Sequence, residues 1–280
     1  MFNSRKLPLS AIIFIAVCSN TYRETVGQIA LVEETESDVI DDIYEGCGEE
    51  AMKKFIHSDL LEQELKRSEG LQKAWKANTN CPSQTSKVDK NLIYALSVFH
   101  FGDVMFLQNL NNAVGTMGVN ITTYERDFHY KSLHFLLMDS MKQLKTKECK
   151  PVYFISENES PKVGSKVRFS GFAKVHLSRE DLPDLDGETL LSITSCSFVN
   201  LDDYICHKYS GGLISPAEVF TVEEIKQKSD ETGYYTNIVL KHSALNGTHN
   251  CFMFPRSAAP VSTQAPFLLL AVLSLFTLTL

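Results

Sequence analysis

The chain has little of what would mark a nucleic-acid, metal or membrane-spanning protein. Its formal net charge is -7, and no basic run is longer than Met52-Lys53-Lys54 or Met141-Lys142-Gln143-Leu144-Lys145. A nucleic-acid surface needs clustered cations to displace counterions from phosphates, so that partner class is set aside. No C-x-x-C and no close Cys/His spacing occurs, which argues against a zinc site or other metal centre. No apolar run reaches the roughly 20 residues that a spanning helix needs. The chain also lacks a glycine-rich phosphate loop, a Ser/His/Asp ordering and a metalloprotease helix. Neither an internal repeat nor a low-complexity linker divides it, so its central part is read as one large domain or two closely packed subdomains.

What is present at the ends points to the cell surface. Arg5 and Lys6 precede a mostly apolar stretch from Leu7 to Cys18 and then Ser19 and Asn20, the layout of a cleaved secretory signal over residues 1–22. After an ectodomain over 23–256, small residues at Ser257-Ala258-Ala259, an uncharged spacer and an apolar tail over 257–280 fit a glycosylphosphatidylinositol attachment signal. Ser257 is the expected attachment residue, and the expected membrane partner is therefore a lipid anchor at the extracellular face. Three glycosylation sequons, at Asn120, Asn158 and Asn246, agree with secretion and predict surface positions if used. Of the seven cysteines, six remain once Cys18 leaves with the signal, and an oxidising route makes pairing the default. Spacing alone leaves the connectivity open.

Between the ends the pattern changes once. Apolar residues at spacings of three and four, namely Met52/Phe55/Ile56, Leu92/Ala95/Leu96/Phe99 and Leu107/Leu110/Val114, predict three short amphipathic helices. A longer helix is expected over 122–147, with Leu133, Leu136, Leu137, Met141 and Leu144 as its apolar stripe. Beyond Cys149 come short β-like segments at 152–155, 166–172, 189–196, 218–222, 234–241 and 250–254, separated by turn signals such as Gly164-Ser165 and Gly211-Gly212. Helices followed by strands make an α+β fold. Trp75, Phe128, Tyr130 and Phe135 are read as core.

Several segments resemble one family, in order along the chain. Asp41-Asp42-Ile43-Tyr44-Glu45-Gly46-Cys47 is similar to a D-D-Q-Y-x-G-C entry segment, and the stretch from Tyr124 to Leu137 to a signature helix. Val152-Tyr153 after Cys149 looks like the opening of a V-Y-R-G strand, Val167 to Phe172 like a V-R-F-G-Q-F strand, and Ile193 to Cys196 like an I-x-T-C strand. Leu213-Ile214-Ser215-Pro216-Ala217-Glu218-Val219-Phe220 looks like a loop reading V-L-I-P-P-F-E-V-F. Together they resemble the arginine-specific ecto-mono-ADP-ribosyltransferases from about Asp41 to Phe252. The resemblance implies a helical N-terminal subdomain packed on a two-sheet β core that holds NAD, the family's substrate, in a cleft. It also implies disulfides Cys47–Cys251 and Cys149–Cys196, and leaves Cys81 and Cys206 unassigned.

The same resemblance shows what is replaced. The family's phosphate-binding arginine, a planar donor fork, falls on Phe154. The serines of its F-x-S-x-S strand fall on Lys174 and His176. The two glutamates of its E-x-E pair, which stabilise the ribosyl cation and position the acceptor guanidinium, fall on Gly211 and Tyr209. No catalytic position is intact, so the expectation is a cell-surface module that binds an unknown protein partner without transferring ADP-ribose. The alternative is an active NAD-dependent transferase or NAD glycohydrolase with relocated groups. Arg168 is a candidate phosphate contact or a strand-packing residue; Glu218 reads as a structural strand residue. Glu62-Gln63-Glu64 and Glu157-Asn158-Glu159 also spell E-x-E but read as solvated surface, and Glu223-Glu224 are adjacent, so they face opposite sides of a strand.

Overall fold

Two aspartate-led segments of the helical layer start for local reasons. Asp89 Oδ1 accepts the Asn91 N–H at 2.9 Å and starts α4 (Lys90–Phe101). Asp103 Oδ1 accepts the Phe106 N–H at 2.9 Å and starts α5 (Val104–Thr116). Such caps satisfy N–H groups that the first helical turn leaves unpaired. The corner between them requires Gly102, because a Cβ there would lie 2.8 Å from the Val98 carbonyl and 2.6 Å from the Phe106 ring. In this computed structural model the described residues are 29–77, 88–156, 159–205, 211–230 and 233–254. Tyr209, Cys81, Cys206, Asn158, Ser257 and both expected terminal signals lie outside them.

Among the described residues the helices are α1 (Gly48–Phe55), α2 (Leu60–Arg67), α3 (Glu69–Ala77), α4, α5, α6 (Ile121–Asp127) and α7 (Lys131–Leu144). The single long helix expected over 122–147 is instead two, α6 and α7. The break follows from tertiary contacts. Phe128 is extended and fully buried, its ring stacked on Tyr124 at 5.3 Å between centroids. Nothing local caps α7, whose N-cap position is Tyr130. The buried carboxylate of Glu64 in α2 does so instead, accepting the Lys131 N–H at 2.8 Å and the Ser132 N–H at 2.9 Å. The predicted apolar stripe is real: Leu133, Leu136 and Leu137 are fully buried, each contributing roughly 1.5–3 kcal/mol by leaving water. Phe128 and Phe135 are buried and Trp75 and Tyr130 pack at the edge of the same core, as the sequence suggested.

The strands are β1 (Leu31–Glu33), β2 (Lys150–Ser156), β3 (Lys166–Phe169), β4 (Ala173–His176), β5 (Thr189–Ser195), β6 (Val199–Asn200), β7 (Gly211–Ile214), β8 (Glu218–Asp230) and β9 (Gly233–Leu245). They hydrogen-bond in the order β1-β3-β8-β9-β5-β2-β4-β7-β6. All neighbours are antiparallel except β5 and β9. The order is continuous, yet β2 and β4 are joined by a single pair, Tyr153 with His176. Six strands therefore lie on one side of that junction and three on the other, which is the form taken here by the expected two-sheet core.

Two strand expectations are corrected. The segment 166–172 ends at Phe169, since the chain turns at Ser170-Gly171, where a Cβ on Gly171 would sit 2.6 Å from Asn111 Oδ1. That same Oδ1 accepts the Phe172 N–H at 3.0 Å, so close helix-to-turn approach fixes the bend. The segment 250–254 is a turn. Cys251 has φ of 59° and is held to Cys47 by a disulfide, while Asp42 accepts the N–H groups of Cys251 and Phe252 at 2.9 and 3.1 Å. A left-handed residue cannot continue a strand. The second bridge, Cys149–Cys196, closes the β2–β5 ladder just beyond the Lys150–Ser195 pair. Both disulfides match the pairing that the resemblance implied.

Candidate functional site

The positions singled out by sequence meet at the β2–β4–β7 corner. Across it runs one row of paired residues: Tyr153 on β2 faces His176 on β4, and His176 faces Gly211 on β7. Lys174 pairs with Leu213, two positions along. Antiparallel pairing puts opposed side chains on one face, so Lys174 and His176 share a face while Ala173 and Val175 turn into the core. Lys174 and His176 are half-buried and Gly211 is buried. Burial pushes the His176 imidazole below its ordinary value, with Lys174 adding to that and Asp181 opposing it. A histidine so placed is neutral at physiological pH.

Phe154 is next to Tyr153, one position out of phase with that row. Its ring packs edge-on against Phe169 of β3, with centroids 5.2 Å apart, as part of the apolar layer under the sheet. An aromatic ring there supplies packing and no hydrogen-bond donor. The structure thus brings Lys174, His176 and Gly211 together and places Phe154 beside them, but among the described residues none of these positions carries a carboxylate or a guanidinium.

Glu218 is the one acidic residue in the stretch 211–222, and it is fully committed. Its carboxylate, with no exposure, accepts the Ser195 hydroxyl at 2.7 Å and the Cys196 N–H at 2.9 Å and sits 2.7 Å from His242 Nδ1. It ties β8 to the end of β5 and to β9. The structural reading of Glu218 holds.

Three readings of charged residues change. Arg168 does not face a cleft: it is fully buried and its guanidinium pairs with Asp41 and donates to the Glu36 carbonyl. Its role is to hold the chain entry onto β3, so the phosphate-contact reading is withdrawn in favour of strand packing. Glu64 is not solvated surface but the cap of α7, whereas Glu62 is exposed and paired with Lys66. Glu159 is half-buried, accepting the Leu31 N–H at 3.0 Å and the Ser156 hydroxyl at 3.0 Å, and burial pushes its carboxyl up. Glu223 and Glu224 pair with Lys241 and Lys226 respectively, but a β-bulge between Val222 and Glu224 interrupts the strict alternation that would set them on opposite sides.

Sequence reasoning did not single out the network that closes the two ends of the domain. Asp41 gathers Arg168, the Thr248 N–H at 2.9 Å, the Thr248 hydroxyl at 2.8 Å and His249 Nδ1 at 2.9 Å. Burial by itself would raise its carboxyl, but His249 and Arg168 outweigh that and hold it at about 2. Asp42 is the opposite case: burial pushes it up to about 6 although the Cys251, Tyr44 and Phe252 N–H groups donate to it. His134 on α7 is fully buried between the Tyr44 hydroxyl at 3.0 Å and the Ile40 carbonyl at 3.2 Å, and burial pulls it down to about 4. The only prior signal was the Asp41-Asp42-x-Tyr44-x-Gly46-Cys47 spacing itself.

With this geometry in place, comparison with known proteins is decisive about ancestry. A family model described as NAD:arginine ADP-ribosyltransferase matches residues 33–246. The chain belongs to that family. Among curated ADP-ribosyltransferases, ecto-ADP-ribosyltransferase 4 of Mus musculus is 26% identical over 264 residues, covering 85% of this chain and 83% of the relative. Ecto-ADP-ribosyltransferase 5 of Homo sapiens is 28% identical over 213 residues, covering 68% and 70%. The crystal structure of the eucaryotic mono-ADP-ribosyltransferase ART2.2 superposes with a TM-score of 0.60 at 23% identity, covering 78% of this chain and 97% of ART2.2. An ART2.2 mutant solved in complex with NAD gives 0.57 at 22% identity, covering 80% and 98%. These structures share the ADP-ribosyltransferase fold with this chain.

Proposed function

We propose that this protein is a cell-surface member of the ADP-ribosyltransferase family that has exchanged catalysis for binding. The observation that carries the reading is the β2–β4–β7 corner: Phe154, half-buried, packs against the core, Lys174 and His176 occupy the strand facing β7, and Gly211 contributes only backbone. Cleavage of the nicotinamide–ribose bond builds positive charge on the sugar. A carboxylate poised against that charge lowers the barrier, and losing one such stabiliser typically costs 10²–10³ in rate. Lys174 and His176 add no negative charge, and the Glu218 carboxylate is held by Ser195, Cys196 and His242. With the guanidinium also replaced, the anionic phosphates of NAD lose a fork-shaped partner.

The family relationship supports NAD as the small molecule to test first. Curated relatives are named ecto-enzymes, which supports an extracellular location, and among the described residues no helix is long and apolar enough to cross a membrane. Lipid anchoring through Ser257, an N-terminal signal and a protein partner on the cell surface complete the proposal. The test is incubation of the purified ectodomain with labelled NAD and an arginine-mimicking acceptor. Label transfer at the rate of an active family member would sink the reading and favour an enzyme with relocated groups.

A further inference from the structure

We infer that the Cys149–Cys196 bridge is a site of thiol–disulfide exchange, opened by an extracellular dithiol without unfolding of the domain, and that its state sets how firmly β7 is held at the β2–β4–β7 corner. The two described disulfides differ first in access. Cys47 and Cys251 are buried, with 5% and 7% exposure, whereas Cys149 is exposed and Cys196 partly exposed. Exchange requires a thiolate to reach a sulfur, so exposure marks the labile bridge. Lys147 and Lys150, on either side of Cys149, are exposed as well and draw an anionic thiolate toward it. The bridges differ also in what remains when they open. Cys47–Cys251 clasps chain ends that are 204 residues apart. Cys149 and Cys196 lie one step beyond a ladder that runs from Lys150 with Ser195 to Ser156 with Thr189, and that ladder keeps β2 on β5 whether or not the bridge is closed.

The bridge reaches the corner through a short stretch of chain. At Cys196 the chain leaves β5 and crosses to β6. Phe198, within that crossing, is buried and lies against β7: a Cβ on Gly212 would come 2.9 Å from its ring. Gly212 adjoins Gly211 and pairs with Val175 on β4 and Asn200 on β6. The start of the crossing thus bears on the corner, where β2 and β4 share only the Tyr153–His176 pair. The bridge ties the crossing to the chain just before β2, beside a hydrogen bond from the Thr146 N–H to the Phe198 carbonyl at 3.1 Å. Opening it leaves that weaker tie. In the step, one thiolate of the dithiol attacks Cys149 Sγ and the S–S bond breaks; Cys196 Sγ leaves with the electron pair and takes a proton from water. The second thiol of the dithiol, losing its proton to solvent, then attacks the mixed disulfide. A cyclic disulfide departs and Cys149 is left as a thiol, so the protein bridge is reduced and the dithiol oxidised.

The test treats the mature protein, purified from secreting animal cells, with graded dithiothreitol at neutral pH without denaturant. New thiols are blocked with iodoacetamide and each cysteine is read by peptide mass spectrometry, with circular dichroism alongside. The expected result is labelling of Cys149 and Cys196 at least about tenfold faster than of Cys47 and Cys251, with the circular dichroism unchanged. Amide exchange in the reduced, alkylated protein should rise severalfold from Phe198 to Asn200 and in β7. Cys149→Ser with Cys196→Ser should reproduce that rise, and the alkylated wild type decides the matter if the double variant does not fold. Labelling of Cys47 and Cys251 first, or of Cys149 and Cys196 only as the circular dichroism is lost, overturns the inference. So does an opened protein whose β6 and β7 amides exchange at the unopened rate. None of these readouts involves NAD, so this inference and the reading of binding without catalysis fail separately.

Discussion

Removing the Glu64 carboxylate should cost the fold about 3 kcal/mol, because α7 has no other cap. The carboxylate is 5% exposed and accepts N–H groups from Lys131 and Ser132 at 2.8 and 2.9 Å. A hydrogen bond to a charged group is worth about 1.5–3 kcal/mol, and a buried N–H left unpaired costs about 1–3 kcal/mol. Against that stands the desolvation of Glu64 itself, which pushes its carboxyl above the ordinary value. The net figure is therefore nearer one strong bond than two. For a domain of this size a loss of that order lowers Tm by roughly 6–12 °C. Glu64→Gln keeps one acceptor but turns an N–H₂ toward the other N–H, so it should fall between wild type and Glu64→Ala. The assay is thermal unfolding followed by circular dichroism at neutral pH, with amide exchange at Lys131 and Ser132 as the local readout. Glu62→Ala, which breaks an exposed pair with Lys66, is the control and should cost about 0–0.5 kcal/mol. If Glu64→Ala matched that control, the capping argument for the break before α7 would be wrong.

Other consequences follow from the same contacts. His134 falls from 6.5 to about 4 in the fold, so its contribution is complete above pH 6.5 and fades as pH drops toward 4, by up to about 3 kcal/mol at 1.36 kcal/mol per unit. Asp42 rises from 3.8 to about 6, so its contribution is complete below pH 3.8 and is lost as pH climbs through 6, and the two slopes oppose each other. Asp42→Asn should therefore lose more stability between pH 7 and 4.5 than wild type does; equal acid slopes in urea titrations would refute this. Replacing Cys47 and Cys251 with serine opens a loop spanning 204 residues and should cost about 5 kcal/mol in the chain-entropy picture, read as a drop in denaturation midpoint; an unchanged midpoint would count against the clasp. Gly211→Glu alone should give no NAD turnover, since Phe154 and Lys174 remain; robust turnover would show that those positions were wrongly matched.

How much was legible depended on whether the cause was local. The apolar faces of α4 and α5 and the α7 stripe were readable because three-four spacing acts within a few residues. The break at Phe128 was not, since the cap for α7 comes from Glu64, 67 residues away in sequence. Arg168 was ambiguous for a similar reason: only its distant partner Asp41 decides that it is buried. The β8–β9 hairpin runs 13 residues in each strand, much longer than the expected segments, because the outer half of β8, from Glu223 to Asp230, is polar except for Ile225, is mostly exposed and shows little alternation. The candidate site was legible in the residues that are there, Phe154, Lys174, His176 and Gly211, but not in the strand pairing that sets them beside one another, including the row from Tyr153 through His176 to Gly211. That row needed the register of β2, β4 and β7, with His176 at its centre.

The most direct test of the central claim is nicotinamide release from NAD by the purified ectodomain, measured beside an active family member under the same conditions. Release reports bond cleavage whether the acceptor is a protein or water, so it covers transferase and glycohydrolase chemistry together. The account predicts a rate at the enzyme-free background. Release comparable to that of the active relative would contradict it and would require a carboxylate other than Glu218 to reach the corner formed by Lys174, His176 and Gly211.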